Sequence, residues 1–310
     1  MVESTACNLC GSQKAHPIYE LEDLMLAHPG TFQLVQCETC GLVFQNPRPT
    51  PAEMWTYYSD NYPSYDPGQK KANPYHLSLF ERIGSGSRVK MVTRFKSGGK
   101  ILDIGCSTGK FLRAMQAFSG WETWGIEPNQ SSADEAETHG IRIIRGTFEQ
   151  ADLPEGAWDV ITLWDVLEHL YDPRTALQRI RRLLKPGGIL VIRVPNMESR
   201  DARLFGRAWA GLDAPRHLYV FRLSTLQTLL EKTGYRIISR NFRIGGYFNF
   251  LLSLKFWMVS QKWNPATCER LYSFFSSPLL HLLFTPYFFL RSSHERGPSI
   301  TVTVVREGDL

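Results

Sequence analysis

The stretch Ile101-Leu102-Asp103-Ile104-Gly105-Cys106-Ser107-Thr108-Gly109-Lys110-Phe111-Leu112 constrains this chain most, because it reads as a buried strand running into a glycine turn and then a helix. Ile101, Leu102 and Ile104 form the apolar run of a parallel central strand, Gly105 and Gly109 bracket the turn, and Phe111, Leu112 and Met115 begin a helical apolar spacing. Such a turn leaves amide N–H groups of the helix start unpaired and lets a ligand approach the main chain closely. A second strand, Trp121 to Ile126, ends in Glu127, where a ribose diol needs a carboxylate acceptor. Two cofactor classes compete for such a unit. A dinucleotide asks for G-x-G-x-x-G, whereas Cys106 and Ser107 fill the middle of this turn and Asp103 stands inside the strand end. A carboxylate there repels a pyrophosphate and suits an ammonium group.

The run Asp103-Ile104-Gly105-Cys106-Ser107-Thr108-Gly109, taken with Glu127, resembles the class I S-adenosylmethionine-dependent methyltransferases. The segment Trp158-Asp159-Val160-Ile161-Thr162-Leu163-Trp164-Asp165-Val166-Leu167-Glu168-His169 is similar to their fourth strand and the segment after it. Leu184-Lys185-Pro186-Gly187-Gly188-Ile189-Leu190-Val191 is similar to their turn into strand five, so the likeness spans residues 98 to 195. It implies S-adenosylmethionine as cofactor, with Asp103 and Gly105 near its methionine end, Glu127 on the ribose and Thr147 to Glu149, including Phe148, near the adenine. Cys106, Gly109, Trp164 and Asp165 join the implied cofactor-binding set. Many members carry glycine where Ser107 stands, a departure at the point of close main-chain approach.

The expected fold is α/β, a doubly wound Rossmann-like seven-stranded sheet with its last strand antiparallel, behind a small N-terminal zinc-binding module. Strands are expected near 100 to 105, 121 to 126, 141 to 144, 158 to 164 and 188 to 194, then at Tyr235 to Ser239 and Ser299 to Val305. Right-handed crossovers place the carboxyl ends of the parallel strands on one edge, so Asp103, Glu127, Thr147 and Asp165 should meet there.

Ahead of that domain, Cys7-Asn8-Leu9-Cys10-Gly11 and Cys37-Glu38-Thr39-Cys40-Gly41 repeat one knuckle. Two C-x-x-C turns let Cys7, Cys10, Cys37 and Cys40 converge on a structural zinc ion, each trailing glycine easing the turn. Two disulfides or free thiols are the rival readings, the first disfavoured by the polar, leaderless Met1 to Cys10. The division expected is a zinc-ribbon-like module over 1–46, a Pro/Tyr-rich connector and helix over 47–97, and a methyltransferase domain over 98–310. Tyr57, Tyr58, Tyr62, Tyr65 and Tyr75 lie in that connector, and in similar enzymes tyrosines at this place often cover the cofactor. His76 to Phe95 should be the helix before the first strand.

A net charge of +5 is spread along the chain, and its densest basic run, Arg174 through Lys185, carries Leu177, Ile180, Leu183 and Leu184 at core spacing. That run reads as a solvated helix face, so nucleic acid is not an expected partner. A small-molecule or glycan substrate is. Methylating a hydroxyl asks for alignment and a proton acceptor, and His217, in Asp213-Ala214-Pro215-Arg216-His217-Leu218-Tyr219, is the favoured base, with His169 as second candidate. Arg216 either holds a substrate phosphate or carboxylate or pairs with Asp213. Between strands six and seven the apolar insertion 245–291 carries Phe248, Leu251, Phe256, Trp257, Leu282, Leu283 and Phe289, interrupted by Lys255, Lys262 and Pro286. It reads as a substrate lid, a peripheral membrane contact or a homodimer face. The expected activity is methyl transfer in biosynthesis, to the oxygen of a sugar or glycan-related molecule, in the cytoplasm or on its membrane surface. A lipid, quinone or polyketide acceptor is the alternative, and a non-catalytic binding module the third reading.

Overall fold

The computed structural model describes residues 1–58, 79–292 and 295–309, with side chains between 79 and 85 left aside. The first strands are β1 (Val2–Glu3), β2 (Ala15–Leu21), β3 (Phe32–Cys37), β4 (Val43–Gln45) and β5 (Arg48–Pro49), followed by the single turn α1 (Pro51–Met54). After α2 (Leu79–Thr93) the chain alternates through β6 (Gly99–Ile104), α3 (Lys110–Gln116), β7 (Trp121–Glu127), α4 (Gln130–Thr138) and β8 (Arg142–Arg145). Then come β9 (Trp158–Trp164), α5 (Pro173–Leu183), β10 (Leu184–Pro195), α6 (Arg200–Phe205), β11 (Tyr219–Val220), α7 (Leu223–Lys232) and β12 (Tyr235–Asn241). Three consecutive helices, α8 (Gly246–Ser260), α9 (Pro265–Phe275) and α10 (Pro278–Arg291), precede the closing strand β13 (Ser299–Arg306).

Seven of these strands form one sheet in the order β12-β13-β10-β9-β6-β7-β8. Strands β10, β9, β6, β7 and β8 run parallel, while β13 inserts antiparallel between β10 and β12. This is the expected Rossmann-like order with an antiparallel last strand. Central β6 buries Ile101, Leu102 and Ile104 because β9 and β7 flank it and helices cover both faces. Its turn needs glycine twice. At Gly105 (φ +70°) a Cβ would meet Val166 Cγ2 at 2.7 Å, and at Gly109 (φ +73°) it would meet Ile141 Cδ1 at 2.3 Å.

The basic run lies on α5, which starts at the N-cap Asp172 with Pro173 in its first turn and buries Ala176, Leu177, Ile180 and Leu183. Three of its cations are engaged within the chain: Arg179 donates to the carbonyls of Phe148 and Ala151, Arg182 to Glu155 and Arg181 to the Gly234 carbonyl.

The N-terminal hairpins form a second sheet, ordered β11-β4-β3-β2. Its edge strand β11 comes from the loop after β10, with Tyr219 opposite Phe44 and Val220 opposite Val43. The amide of Gln45 donates to the Leu218 carbonyl (2.9 Å), and the amide of Leu218 donates to the Glu168 carbonyl (2.8 Å). One short segment thus joins the cysteine module to the end of β9.

Helices α8 to α10 occupy the expected insertion. Tyr247, Leu251 and Phe288 pack together, the Tyr247 hydroxyl donates to the Phe275 carbonyl (2.8 Å), and Arg291 pairs with Asp201 of α6 (3.0 Å). The outward side of α10 is apolar: Leu279 is 75% exposed, Leu283 65% and Leu290 70%. Among the described residues no single helix is long and apolar enough to cross a membrane; α9 and α10 together have the length and composition but bend by 72° at their junction. Tyr62, Tyr65, Tyr75 and the start of the expected helix at His76 lie outside the described residues.

Candidate active site

The carboxyl ends of β6, β7, β8 and β9 bring the expected cofactor residues to one edge. Glu127 is the hub. Its Oε2 accepts from the Ser107 amide and its Oε1 from the Asn129 amide, both at 2.8 Å, while its carbonyl accepts from the Gly146 amide (3.1 Å). The glycine turn and the start of α4 are therefore indexed to one carboxylate, and the turn after β8 to the main chain of the same residue; each carboxylate oxygen keeps a second lone pair for a diol. Ser107 adopts φ +49°, the left-handed conformation that glycine takes in many similar turns. Burial raises Glu127 above the usual carboxylate range, against the pull of its two amide donors.

Asp103 is 3% exposed and accepts a 2.6 Å hydrogen bond from the Thr162 hydroxyl. Burial pushes its carboxyl up to about 7; Thr162 and the guanidinium of Arg88 pull it down, and Glu127 pushes it further up. Arg88, from α2, lies over the Trp164 indole at 5.3 Å, and that indole meets Phe111 edge-on at 5.2 Å. Trp164 Nε1 is buried without a hydrogen-bond partner among the described residues. Asp165 follows at φ +58° and is clamped by Arg193, whose Nε donates to Oδ1 at 2.8 Å. Thr147 turns the chain after β8 by accepting the Gln150 and Ala151 amides. Phe148 is buried under the Arg179 guanidinium, 4.6 Å from its centroid, and Cys106 packs its thiol on Gly125, where a Cβ would lie 2.3 Å from Sγ.

This set fits an amino-acid nucleoside. A buried carboxylate stands where an ammonium is expected, a second one is oriented for vicinal hydroxyls, and a buried indole N–H has no partner among the described residues.

A second group lies just beyond β9. The rings of His169 and His217 meet edge-on with centroids 4.6 Å apart. His169 Nδ1 is 3.0 Å from the Arg216 carbonyl and 3.0 Å from the Tyr58 hydroxyl, and His217 Nδ1 is 2.9 Å from the Gly211 carbonyl. Burial lowers both histidines, His169 to about 3, and raises fully buried Glu168 to about 8. Glu168, which drew no attention in the sequence beyond its place beside His169, has no hydrogen-bond partner for either carboxyl oxygen among the described residues.

Arg216 pairs with Asp213, one of the two roles expected of it. Its guanidinium is fully buried, with Nη2 at 2.6 Å from Asp23 and 2.7 Å from Asp213, Nη1 donating to Asp23 and the Tyr57 carbonyl, and Nε to Asp213. Its donors meet acceptors inside the protein, and it ties the N-terminal hairpin to the histidine loop.

At the N-terminus, Cys7, Cys10, Cys37 and Cys40 bring their sulfurs within 4.8 Å of one another, with Cys7–Cys40 at 3.4 Å and Cys10–Cys37 at 3.5 Å. These are free thiols, far beyond the ~2.05 Å of a disulfide. Gly11 and Gly41 (both φ +75°) close the knuckles by donating to the Cys7 and Cys37 carbonyls.

A methyltransferase-domain family model matches residues 79–240, more than half of the chain. Among curated relatives, the ubiquinone biosynthesis O-methyltransferase of Erwinia tasmaniensis is 34% identical over 110 residues, covering 34% of this chain and 45% of that protein. The protein of the same name from Chromobacterium violaceum is 29% identical over 149 residues, covering 46% and 58%. The chain thus spans about half the length of the curated relatives it matches. The crystal structure of the [4+2]-cyclase SpnF matches with a TM-score of 0.52 at 18% identity, over 84% of this chain and 97% of that one, a likeness of fold alone. With its matched segment holding Asp103, the glycine turn, Glu127 and Asp165, the chain belongs to the S-adenosylmethionine-dependent methyltransferase family.

Proposed function

We propose that the chain transfers the methyl group of S-adenosylmethionine to a hydroxyl of an apolar, quinol-like acceptor at a membrane surface. The observation that carries the acceptor class is the outward face of α10, where leucines are exposed on a helix anchored to the domain through Arg291 and Asp201. The names of the curated relatives support the same chemistry, although the matched residues are those of the cofactor half.

S-adenosylmethionine supplies an electrophilic methyl group on a sulfonium. Asp103 and Trp164 Nε1 would hold its amino-acid end and Glu127 its ribose, in a turn already set by Ser107 and Gly109. Transfer then needs alignment and removal of one proton. The bare Nε2 atoms of His169 and His217 are proton acceptors on this edge, since their Nδ1 atoms face carbonyl oxygens and must carry hydrogen. The four-cysteine module would hold structural zinc: sulfurs 3.4 and 3.5 Å apart lie near the ~3.8 Å edge of a tetrahedron with ~2.3 Å Zn–S bonds.

The test offers the full chain labelled methyl donor with either a phenolic quinol in lipid vesicles or a nucleotide-linked sugar. Turnover confined to the vesicle-borne quinol supports the proposal, and turnover on the sugar alone overturns the acceptor class. Absence of donor binding by calorimetry would overturn the enzyme reading and leave a binding module.

A further inference from the structure

A carboxylate and two imidazoles converge just past β9, on residues with no part in the expected cofactor contacts. Glu168 and His169 sit in one tight helical turn, Leu167–His169, and the Leu218 amide, donating to the Glu168 carbonyl, fastens His217 beside them. Each of the three offers one ligating atom, and these atoms lie within 4.8 Å of one another.

The surroundings indicate which nitrogen of each ring is free to ligate. A carbonyl oxygen can only accept, so the contacts of His169 Nδ1 with the Arg216 carbonyl and of His217 Nδ1 with the Gly211 carbonyl favour hydrogen on Nδ1 in both rings, the Tyr58 hydroxyl then accepting from His169 Nδ1 as well. Both Nε2 atoms are left with bare lone pairs. Metal-ligating histidines characteristically show this outer contact, which fixes the tautomer and the ring plane. Glu168 supplies the anionic donor: it is fully buried and neither carboxyl oxygen has a partner among the described residues. A buried carboxylate without hydrogen bonds is strongly disfavoured unless an opposite charge meets it, and a cation does so directly.

We propose that Glu168, His169 and His217 form a binding site for a divalent transition-metal ion, separate from the four-cysteine cluster. One carboxylate and two neutral imidazoles suit zinc, manganese or ferrous ions; magnesium and calcium prefer oxygen-only shells. Bonds of ~2.0–2.2 Å require the three ligand atoms to draw together by small side-chain rotations. Asp213, with Oδ2 4.0 Å from His217 Nε2, adds negative charge nearby while remaining paired to Arg216. The site stands independently of the acceptor proposed above, but it bears on that reading, because a nitrogen bound to metal cannot accept the acceptor's proton.

Metal counting on the full-length chain decides. The protein is loaded with zinc, freed of excess by gel filtration and assayed by mass spectrometry for zinc per chain, beside Glu168→Gln, His217→Gln and, as a control on the other cluster, Cys37→Ser. Two equivalents are expected in the wild type and one in each variant. A manganese titration followed by electron paramagnetic resonance reads the nitrogen–oxygen site alone, and Glu168→Gln should weaken it at least tenfold. One zinc in the wild type with no manganese site, or a count unchanged in both loop variants, overturns the proposal and returns the histidines to proton transfer. The wild-type measurements serve even if a variant misfolds. Calorimetric binding of the methyl donor to the same samples reports on the Asp103–Glu127 site separately, so failure there is distinguishable from failure at the metal.

Discussion

Replacing Asp103 with asparagine should make the ligand-free protein more stable while weakening its hold on the methyl donor. The carboxyl is 3% exposed, and burial lifts it to about 7, some three units above an unfolded aspartate. A raised acid binds more protons folded than unfolded between those two values, so stability falls as pH climbs from about 4 to about 7 and is level above. At 1.36 kcal/mol per unit the full penalty is about 4 kcal/mol at pH 8, and about 2–3 kcal/mol of it develops between pH 5 and pH 8. Asparagine keeps an acceptor for the Thr162 hydroxyl but carries no charge to desolvate. Urea unfolding of both proteins at pH 5 and pH 8, without donor, should show the variant's advantage growing by that amount, while calorimetry at pH 8 shows its donor affinity reduced. An advantage that does not change with pH would refute the desolvation argument. Unchanged donor affinity would refute the placement of Asp103 against the amino-acid end.

Three further outcomes rest on the same contacts. Arg216→Met strands Asp23 and Asp213 as buried charges and should cost about 3–5 kcal/mol in urea unfolding, with part recovered by adding Asp23→Asn. Glu127→Gln keeps the shape of the hub but loses its charge and one amide contact, so donor affinity should drop about tenfold or more by calorimetry, with near-native circular dichroism. Cys37→Ser should release one zinc per chain in a chelator-dye assay and lower the thermal midpoint, because the knuckle it closes lies on β3 beside β4.

Most of the sheet was legible because parallel central strands must be apolar on both faces, which Ile101 to Ile104, Val160 to Trp164 and Ile189 to Val194 display with few polar interruptions. The glycine turn and the place of Glu127 at the end of the next strand were legible because both follow from local spacing along β6, α3 and β7. The Asp213 side of the Arg216 cluster was legible, three positions away, but the Asp23 side was not: Asp23 is nearly two hundred positions away, and nothing local in Glu22-Asp23-Leu24 marks a partner for it. Glu168 was hidden for a related reason. Beside His169 it looks like an ordinary surface acid, and only the return of the chain at Leu218 buries it. The exposed leucines of α10 were visible as composition, but which side they face is a property of the packing of α8 and α10 around Phe288.

Strand β11 has a consequence for how the protein is made. Strands β1 to β4 leave the ribosome well before β11, and the cysteines on their knuckles are complete by Cys40. The edge of β4 nevertheless stays open until Tyr219 and Val220 are synthesised, and Asp23 lacks its guanidinium partner until Arg216 arrives. A nascent chain therefore carries an unprotected sheet edge until β11 is made, when pairing with another chain is most dangerous. A metal-closed pair of knuckles would hold that unfinished sheet in register during the wait, and its value would then be greatest before the catalytic half exists.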